Sequence, residues 1–239
     1  MNLTGGISWH WLAWRSQARW APTAQAIEQW LLQSAPALPT NESREKPTLL
    51  LIGASAGWMM SCQWLSKFAR VDTFDIDPLA AFLFKLRHGA ALKAQGVVLN
   101  CHTQDALQNL DALLAAHPKA LVFFDNVLGQ MRFQHAATDW QLVEKKLKQF
   151  QVRLKGREWG SIHDRMSGRL NNPVAPESAL PMRNPDWHDQ QWLTQLDAQS
   201  PWLDHLTHSV FPSGTNVQNF AWNFLPRYRH WLQAAWVRP

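Results

Sequence analysis

The residues of this chain with the clearest chemical potential are a glycine-containing loop and an acid that follows it. Gly53, Ser55 and Gly57 form a short loop directly after the apolar run 48–52, and Asp75 ends a second apolar segment about 20 residues on. Glycines let a backbone approach a ligand without interference from Cβ atoms. A carboxylate can accept hydrogen bonds from both hydroxyls of a ribose. This order of loop and acid predicts a site for a nucleotide-like ligand.

Polar residues also follow the fourth and fifth predicted strands, at the same edge of the predicted sheet. Chemistry in parallel sheets takes place beyond the carboxyl ends of the strands. Asp125, Asn126 and Gln130 follow the fourth strand, and His163 and Asp164 end the fifth. The imidazole of His163 titrates near neutral pH and is expected to accept a proton from a substrate. The alternative for His163 is the structural role that buried histidines commonly have.

Alternating apolar and helix-compatible segments predict an α/β domain over residues 48–239. Uninterrupted apolar runs at 49–52 and 120–124 are typical of strands covered on both faces. We therefore expect a mainly parallel seven-stranded sheet with helices on both faces and an antiparallel C-terminal hairpin. The predicted strands are 48–53, 71–76, 97–101, 120–125, 158–163, 206–211 and 218–225, with a final segment at 228–236. The predicted helices are 58–69, 78–93, 104–116, 138–150 and 187–196, and residues 166–186 are predicted to form a long loop.

Residues 1–47 are predicted to form an N-terminal helical cap and a linker. Pro22 suits the first position of a helix, and Ile27, Trp30 and Leu31 fall near one face of it. The polar stretch 40–47 predicts a linker into the sheet. Five of the 15 tryptophans lie within the first thirty residues. They are expected to fill the core between cap and sheet, with stacking against a flat substrate as the alternative.

The composition favours a folded protein without membrane spans. Of the 239 residues, 46% are hydrophobic, which excludes global disorder. No apolar run approaches the roughly 18 residues that a membrane-spanning helix needs. The N-terminus lacks the pattern of a secretory signal. Cys62 and Cys101 lie far apart without metal-ligand spacing around them, so we expect reduced thiols, no metal site and a cytoplasmic location.

The order of these elements resembles the class I S-adenosylmethionine-dependent methyltransferases, over residues 48–239. In that family a glycine loop after the first strand wraps the methionine part of the cofactor. The loop of this chain, Gly53-Ala-Ser-Ala-Gly57, lacks one glycine and the acid of the family pattern. The resemblance places the ribose at the second-strand acid and the adenine at the motif that follows strand three. It thereby implies six cofactor-binding residues: Gly53, Ser55, Gly57, Asp75, Asp105 and Ala106.

The resemblance also implies methyl transfer from S-adenosylmethionine to an acceptor beyond strands four and five. It implies catalytic roles for Asp125, Asn126 and His163, and contacts of Gln130 and Asp164 with the acceptor. The end of strand four lacks the Asp/Asn-Pro-Pro-Tyr motif of amino-methylating DNA enzymes. The net charge of +5 is dispersed along the chain. We therefore expect a small or medium-sized acceptor rather than nucleic acid, and no membrane partner.

Two other functions stay open on the sequence. Gly53-Ala-Ser-Ala-Gly57 also matches the G-x-S-x-G elbow of serine hydrolases, with Ser55 as nucleophile, Asp125 as acid and His205 or His208 as base. An α/β-hydrolase needs strands before its elbow, however, and residues 1–47 predict none. The thinned glycine loop favours a second alternative, a non-catalytic module on a degenerate methyltransferase fold. A short-chain reductase is disfavoured because Tyr228 lacks the lysine of the Tyr-x-x-x-Lys pair.

Overall fold

The computed structural model describes residues 6–34, 46–134, 139–176, 178–184 and 186–239. Most of the predicted linker therefore lies outside the described residues. The strands are β1 (Thr48–Ile52), β2 (Arg70–Asp75), β3 (Val98–Thr103), β4 (Leu121–Asp125), β5 (Trp159–Arg169), β6 (Leu203–Asp204), β7 (Gln218–Leu225) and β8 (Tyr228–Val237). The α-helices are α1 (Gly6–Arg15), α2 (Gln17–Ser34), α3 (Cys62–Leu65), α4 (Pro78–Phe84), α5 (Ala90–Ala94), α6 (Leu110–Ala116), α7 (Val127–Gln130), α8 (Trp140–Arg153) and α9 (Asp189–Gln195).

The strands form one sheet in the order β3-β2-β1-β4-β5-β8-β7, and the short β6 pairs with β5. Strands β1 to β5 run parallel, whereas β8 is antiparallel to both β5 and β7. The chain runs from β1 outward to β3 and then returns to β4 on the other side of β1. This reversal opens a crevice beyond the carboxyl ends of β1 and β4, where ligands bind in such sheets. The predicted fold class is confirmed, with the two-residue β6 as an eighth strand.

Both faces of the sheet are covered because successive side chains of a strand point to opposite sides. Leu49 and Leu51 pack in one hydrophobic cluster with residues of α2, α3 and α4. Leu50 and Ile52 pack in a second cluster with residues of α6 and α8. Burial of each of these side chains stabilises the fold by roughly 2 kcal/mol. The uninterrupted apolar run of β1 is therefore required by helices on both sides.

The N-terminal helices pack against the antiparallel end of the sheet. Trp20 is 3% exposed, and its ring lies 4.9 Å from that of Trp222 and 5.8 Å from that of Phe224. Thr23 Oγ1 donates to the carbonyl oxygen of Ala221 at 3.1 Å. This arrangement agrees with a core role for the tryptophan at position 20. Pro22 lies inside α2 and not at its first position, because the helix already begins at Gln17.

Several predicted boundaries were wrong. The predicted helix 58–69 shortens to α3, because the chain stays in turns until Ser61 caps the helix by accepting from the Trp64 amide at 3.1 Å. The strand predicted at 206–211 is absent. A strand of two residues, Leu203–Asp204, lies just before this segment and pairs with β5. Strand β5 extends to Arg169 and so takes up the start of the predicted loop 166–186. No helix among the described residues is long and apolar enough to cross a membrane.

Candidate functional site

A cavity of about 590 Å³ lies beyond the carboxyl ends of β1, β2, β4 and β5. Its volume falls within the range of small-molecule and cofactor sites. Helices α1, α2 and α7, the turn after β3 and the strands β7 and β8 also contribute to its wall. The structure brings nine of the predicted site residues into this wall: Gly53, Ser55, Asp75, Asp105, Ala106, Asp125, Asn126, Gln130 and Asp164.

The glycine loop approaches the end of β4 more closely than a residue with a side chain would allow. Gly53 has a φ of +77°, and a Cβ at this position would lie 2.7 Å from Cβ of Val127 and 2.8 Å from the carbonyl oxygen of Asp125. Its amide donates to the carbonyl oxygen of Phe74 at 2.8 Å. Both the left-handed backbone and the close approach require glycine. The loop backbone thereby forms one edge of the cavity.

Asp75 connects the glycine loop to the segment that follows β2. Its Oδ2 accepts from the Ser55 amide at 2.8 Å, and its Oδ1 accepts from the Asp77 amide at 2.9 Å. The pKa of Asp75 lies above its usual value, because the effect of burial exceeds the opposing effect of these two backbone hydrogen bonds. A carboxylate oxygen has two lone pairs. Each oxygen of Asp75 therefore keeps one lone pair for a further donor.

Asp77 caps a helix and also holds the N-terminal helix in place. Its Oδ1 accepts from the Leu79 amide at 2.9 Å, which makes it the N-cap of α4. Its Oδ2 accepts from the Gly6 amide at 2.6 Å and lies 3.1 Å from Nε2 of His10. Trp9 Nε1 donates to Ser55 Oγ at 3.0 Å. Helix α1 is thus bound both to the glycine loop and to the acid that follows it.

Asp105 and Ala106 lie in the turn after β3. The Oδ1 of Asp105 accepts from the amides of Leu107 at 3.0 Å and Gln108 at 3.2 Å. The carboxylate therefore stabilises this turn, whereas the helix predicted at 104–116 begins only at Leu110. Ala106 is 3% exposed. Both residues also line the cavity, so this role in the turn does not exclude contact with a ligand.

The end of β4 places two different polar groups at the cavity. Burial, and after it the nearby Asp75, raise the pKa of Asp125 to about 7. Asn126 adopts the left-handed conformation with a φ of +54°, which asparagine tolerates better than most residues. Its Oδ1 accepts from the Asp164 amide at 2.9 Å, and its Nδ2 donates to Asp164 Oδ2 at 3.1 Å. Asn126 therefore connects β4 to the acid of β5.

Asp164 lies at the centre of a polar cluster that includes two histidines. Its Oδ1 is 2.7 Å from Nδ1 of His230. Burial acts to raise the pKa of Asp164, but the charge of His230 and hydrogen bonds from His230 and Asn126 outweigh burial and hold this pKa at about 2. The carboxyl group is therefore ionised at neutral pH, and His230 Nδ1 donates to it.

The second histidine of this cluster, His205, has partners on both ring nitrogens. Its Nδ1 lies 2.9 Å from the carbonyl oxygen of Gly129, and its Nε2 lies 2.9 Å from Ser167 Oγ. A carbonyl oxygen only accepts, so Nδ1 carries the proton and Nε2 accepts from the hydroxyl of Ser167. Ser167 Oγ is in turn 3.2 Å from the hydroxyl oxygen of Tyr228. Burial lowers the pKa of His205, which agrees with a neutral ring.

Sequence reasoning missed His230 and Tyr228 and considered His205 only as a hydrolase base. These residues come from β8 and from the segment after β6, far from Asp164 in the chain. An antiparallel strand begins at the edge where its parallel neighbours end. The sequence signal that could have indicated these two residues is the pair of polar side chains at alternate positions, 228 and 230, at the start of the last strand.

His163 does not lie in the cavity wall, and the expectation that it lines the acceptor site is corrected. Ile162 and Asp164 face the cavity, so the residue between them points to the opposite face of β5. The His163 side chain is fully buried, with Nδ1 3.0 Å from Ser161 Oγ and its ring 5.0 Å from that of Phe211. Burial lowers its pKa to about 3. His163 therefore has the structural role that the sequence left open.

Gly57 also lies away from the cavity and contacts the helical segment that follows β2. A Cβ at Gly57 would lie 2.5 Å from Nε2 of His88. The carbonyl oxygen of Gly57 is 3.2 Å from the same nitrogen. Burial is the main reason why the pKa of His88 falls to about 4, so the ring is neutral at neutral pH. Gly57 thus allows close packing of the loop on His88 and does not face the cavity.

The described geometry does not assemble a hydrolase triad. Ser55 Oγ accepts from the indole of Trp9, and no described hydrogen bond joins it to a histidine. His205 is bonded to Ser167 and Gly129. His208 lies at the surface, 3.8 Å from Glu144. The nucleophile and the candidate bases therefore belong to different networks.

The cavity wall also contains buried polar atoms that have no hydrogen-bond partner among the described residues. They are Trp58 Nε1, Gln130 Oε1, Trp222 Nε1 and His230 Nε2. Buried polar groups in folded proteins are almost always paired, so each unpaired atom requires an explanation. A ligand with donors and acceptors in this cavity would supply the missing partners.

No protein-family model and no curated protein matches the chain. Among solved structures, it is similar to Haemonchus contortus phosphoethanolamine N-methyltransferase 2 in complex with phosphomonomethylethanolamine and S-adenosylhomocysteine, at 13% identity and a TM-score of 0.45 over 91% of this chain and 52% of that one. Magnesium protoporphyrin IX methyltransferase from Synechocystis PCC 6803 with bound SAM gives 14% identity and a TM-score of 0.44, over 91% and 78% of the two chains. A geranyl diphosphate methyltransferase in complex with SAM gives 12% identity and a TM-score of 0.43, over 89% of this chain and 84% of that one.

The chain spans about half of the length of the first of these proteins. Likeness at this level carries no conclusion about activity or substrate. The fold is established by the chain's own strand order, with a reversal between β1 and β4 and an antiparallel β8 between β5 and β7. On this basis the chain has the class I methyltransferase fold.

Proposed function

We propose that this protein is an S-adenosylmethionine-dependent methyltransferase that acts on a small or medium-sized acceptor. The observation that carries the proposal is one cavity with two chemically different ends. At one end the glycine loop lies beside Asp75 and Asp105. At the other end Asn126 and the cluster around Asp164 face the same space. A cofactor and an acceptor would meet between these ends, at the reversal point of the sheet.

The residues at the first end fit the cofactor. Gly53 lets the loop pack closely against the end of β4, and it lines the cavity. Asp75 keeps a free lone pair on each oxygen, which matches the two hydroxyls of a ribose. Asp105 and Ala106 lie in the turn that would contact the adenine. Of the other two predicted cofactor residues, Ser55 lines the cavity and belongs to this proposal, whereas Gly57 is left out of it.

The second end fits an acceptor with a flat apolar body and one polar group. Trp20, Trp222 and Phe224 form an aromatic wall of the cavity, and Trp9, whose indole donates to Ser55 of the glycine loop, stacks on Phe224 at 6.2 Å between ring centroids. Such rings bind flat apolar surfaces and exclude water. The polar groups of Asn126 and the Asp164 cluster would orient the nucleophilic atom of the acceptor.

The reaction proposed for this cavity depends mainly on positioning. The cofactor supplies an electrophilic methyl group. Holding two reactants in line within a closed site can provide several kcal/mol of the rate enhancement. Asp125 and Asn126 lie at the end of β4 and line the cavity, where they would contact the reacting groups. The aromatic wall would keep water away from them.

Isothermal titration calorimetry with S-adenosylhomocysteine tests the proposal directly. We expect one molecule to bind per chain, and NAD to give no signal. Asp75→Ala should weaken binding by about 2–3 kcal/mol, since two hydrogen bonds of about 1–1.5 kcal/mol each are lost. Asp111→Asn is the matched control, because Asp111 lies on the exposed surface of α6. Its affinity should equal that of the wild type.

The alternatives are separated by the same titration and one further assay. Absence of binding by the folded wild-type protein would contradict the proposal and favour a non-catalytic module. Binding of S-adenosylhomocysteine without transfer of labelled methyl groups to any of a panel of small aromatic hydroxyl, amine and heterocyclic acceptors would restrict the protein to cofactor binding. An unchanged affinity of Asp75→Ala would remove this residue from the site.

A further inference from the structure

Three side chains that can bind metals meet at the acceptor end of the cavity. Asp164, His205 and His230 each offer one donor atom, and these atoms lie within 4.8 Å of one another. They come from three separate parts of the chain, namely β5, the segment after β6, and β8. The fold therefore assembles the group, and the sequence spacing does not predict it. All three residues line the cavity.

His205 is oriented in the way that metal-binding histidines usually are. Its Nδ1 donates to the carbonyl oxygen of Gly129 at 2.9 Å, which leaves the lone pair on Nε2. A hydrogen bond from the other ring nitrogen to a backbone carbonyl fixes the tautomer of most histidine ligands. Ser167 donates to this lone pair at 2.9 Å. A rotating hydroxyl is easily displaced by a cation.

The backbone around the group is held firmly in place. The His205 amide donates to the carbonyl oxygen of Arg165 at 3.1 Å, and Thr207 Oγ1 donates to that of Asp164 at 2.7 Å. Asn126 Nδ2 supports the second carboxylate oxygen of Asp164 at 3.1 Å. Supporting contacts of this kind keep ligands within the narrow tolerance that metal binding needs.

The charges of the group favour a bound cation. Asp164 is 0% exposed, and a buried carboxylate is costly unless it is paired with a positive group. Among the described residues, the hydrogen-bond and ion-pair partners of this carboxylate are Asn126 Nδ2 and His230 Nδ1, with no lysine or arginine. A divalent cation would neutralise the carboxylate directly.

We propose that Asp164, His205 and His230 form a binding site for a first-row divalent cation of the Fe²⁺ or Zn²⁺ type. Two imidazoles and one carboxylate suit these ions, and three protein ligands leave positions open for a substrate. Mg²⁺ and Ca²⁺ prefer all-oxygen ligands and are excluded. The open positions would face the cavity, so the cation would bind an oxygen or nitrogen of the acceptor. Binding of the cation needs only these side chains, whereas its contact with the acceptor rests on the proposed function.

Titration of the full-length, chelator-treated protein with Zn²⁺ alone tests this site by calorimetry, with Co²⁺ absorption as a second readout. We expect one equivalent to bind at micromolar affinity or tighter, visible Co²⁺ bands, and no binding of Mg²⁺. His205→Gln and His230→Gln should each weaken Zn²⁺ at least 100-fold. His208→Gln is the matched control, because His208 is close in sequence but lies 3.8 Å from Glu144 outside the cluster. It should bind as the wild type does.

The Ser167→Ala variant separates a metal site from a merely hydrogen-bonded cluster. Removal of the hydroxyl frees Nε2 of His205, so Zn²⁺ affinity should be retained or increased. Circular dichroism establishes that each variant is folded, and the two histidine variants suffice if Asp164→Asn does not fold. Substoichiometric binding by the wild type, or equal affinity in His205→Gln and His208→Gln, would overturn the proposal. Neither measurement uses cofactor or acceptor, so the result stands whether or not methyl transfer is found.

Discussion

The carboxyl group of Asp125 should make the stability of this protein fall as the pH rises, and Asp125→Asn should remove that dependence. Burial, followed by the charge of Asp75, raises the pKa of Asp125 from 3.8 to about 7 in the folded protein. Between these values the folded state holds a proton that the unfolded state has released. Stability therefore decreases with pH in this window and levels off above it.

The size of the effect follows from the difference between the two pKa values. About three pKa units correspond to roughly 4 kcal/mol once the pH exceeds the folded-state value. At about pH 5 the raised pKa of Asp125 lowers the free energy of unfolding by roughly 1.5 kcal/mol, by the same relation. Asp125 is partly exposed to the cavity, and water there screens the charge, so these values are upper limits. Asparagine has nearly the same shape and no charge, so Asp125→Asn should gain stability over the wild type as the pH rises.

Urea unfolding at about pH 5, 6, 7 and 8 measures this difference. The advantage of Asp125→Asn should grow by up to roughly 2.5 kcal/mol across the series, with equal m-values in both proteins. Asp186→Asn controls for the loss of one negative charge at an exposed site, and its difference from the wild type should stay constant. Parallel stability curves for Asp125→Asn and the wild type would refute the raised pKa and its assigned cause.

Three further predictions concern the loop and the cofactor. Gly53→Ala should lower the free energy of unfolding in urea by roughly 1–3 kcal/mol more than Gly214→Ala does. Both positions have a positive φ, but of the two only Gly53 lacks room for a Cβ. Equal losses of stability in the two variants would contradict the close approach of the loop to β4. Ser55→Ala should keep methyl transfer within about tenfold, whereas a hydrolase would lose several orders of magnitude of its activity. A fluorophosphonate probe should leave Ser55 of the wild type unlabelled, and labelling of Ser55 would contradict the proposed function. The affinity for S-adenosylmethionine relative to S-adenosylhomocysteine should rise between about pH 6 and 8, because a sulfonium favours ionised Asp125; the same rise in Asp125→Asn would exclude this carboxylate as the cause.

The sheet could be predicted because its strands carry strong apolar signals. The runs in β1 and β4 are buried on both faces, and only strands in the middle of a covered sheet require such runs. The helix predicted at 58–69 failed for a tertiary reason. Trp58 and Met59 line the cavity, and the chain remains in turns there before Ser61 starts a helix of four residues. Local propensity carries no information about such packing.

The site was harder to predict because it depends on which side of a strand a residue faces. His163 and Asp164 are neighbours in sequence, yet one is in the core and the other at the cavity. A shift of one residue moves every side chain of a strand to the opposite face of the sheet. Both residues are polar, so the sequence does not show which of them faces the cavity. The pairing of Asp164 with His230 also depends on β8 lying beside β5, a contact between segments far apart in the chain.

The N-terminal helices belong to the site as much as to the core. Ala13, Trp20, Ile27 and Leu31 pack in the same hydrophobic cluster as Leu49 and Leu51 of the central strand. Trp9, Trp20 and Ile27 also line the cavity, and the Trp9 indole donates to the glycine loop. A net contribution of about 1 kcal/mol for one such hydrogen bond is small beside the burial of these large side chains. The hydrophobic core that fixes the first strand therefore also closes the cavity over its carboxyl end, so that the stability of the cap and the shape of the site depend on the same residues.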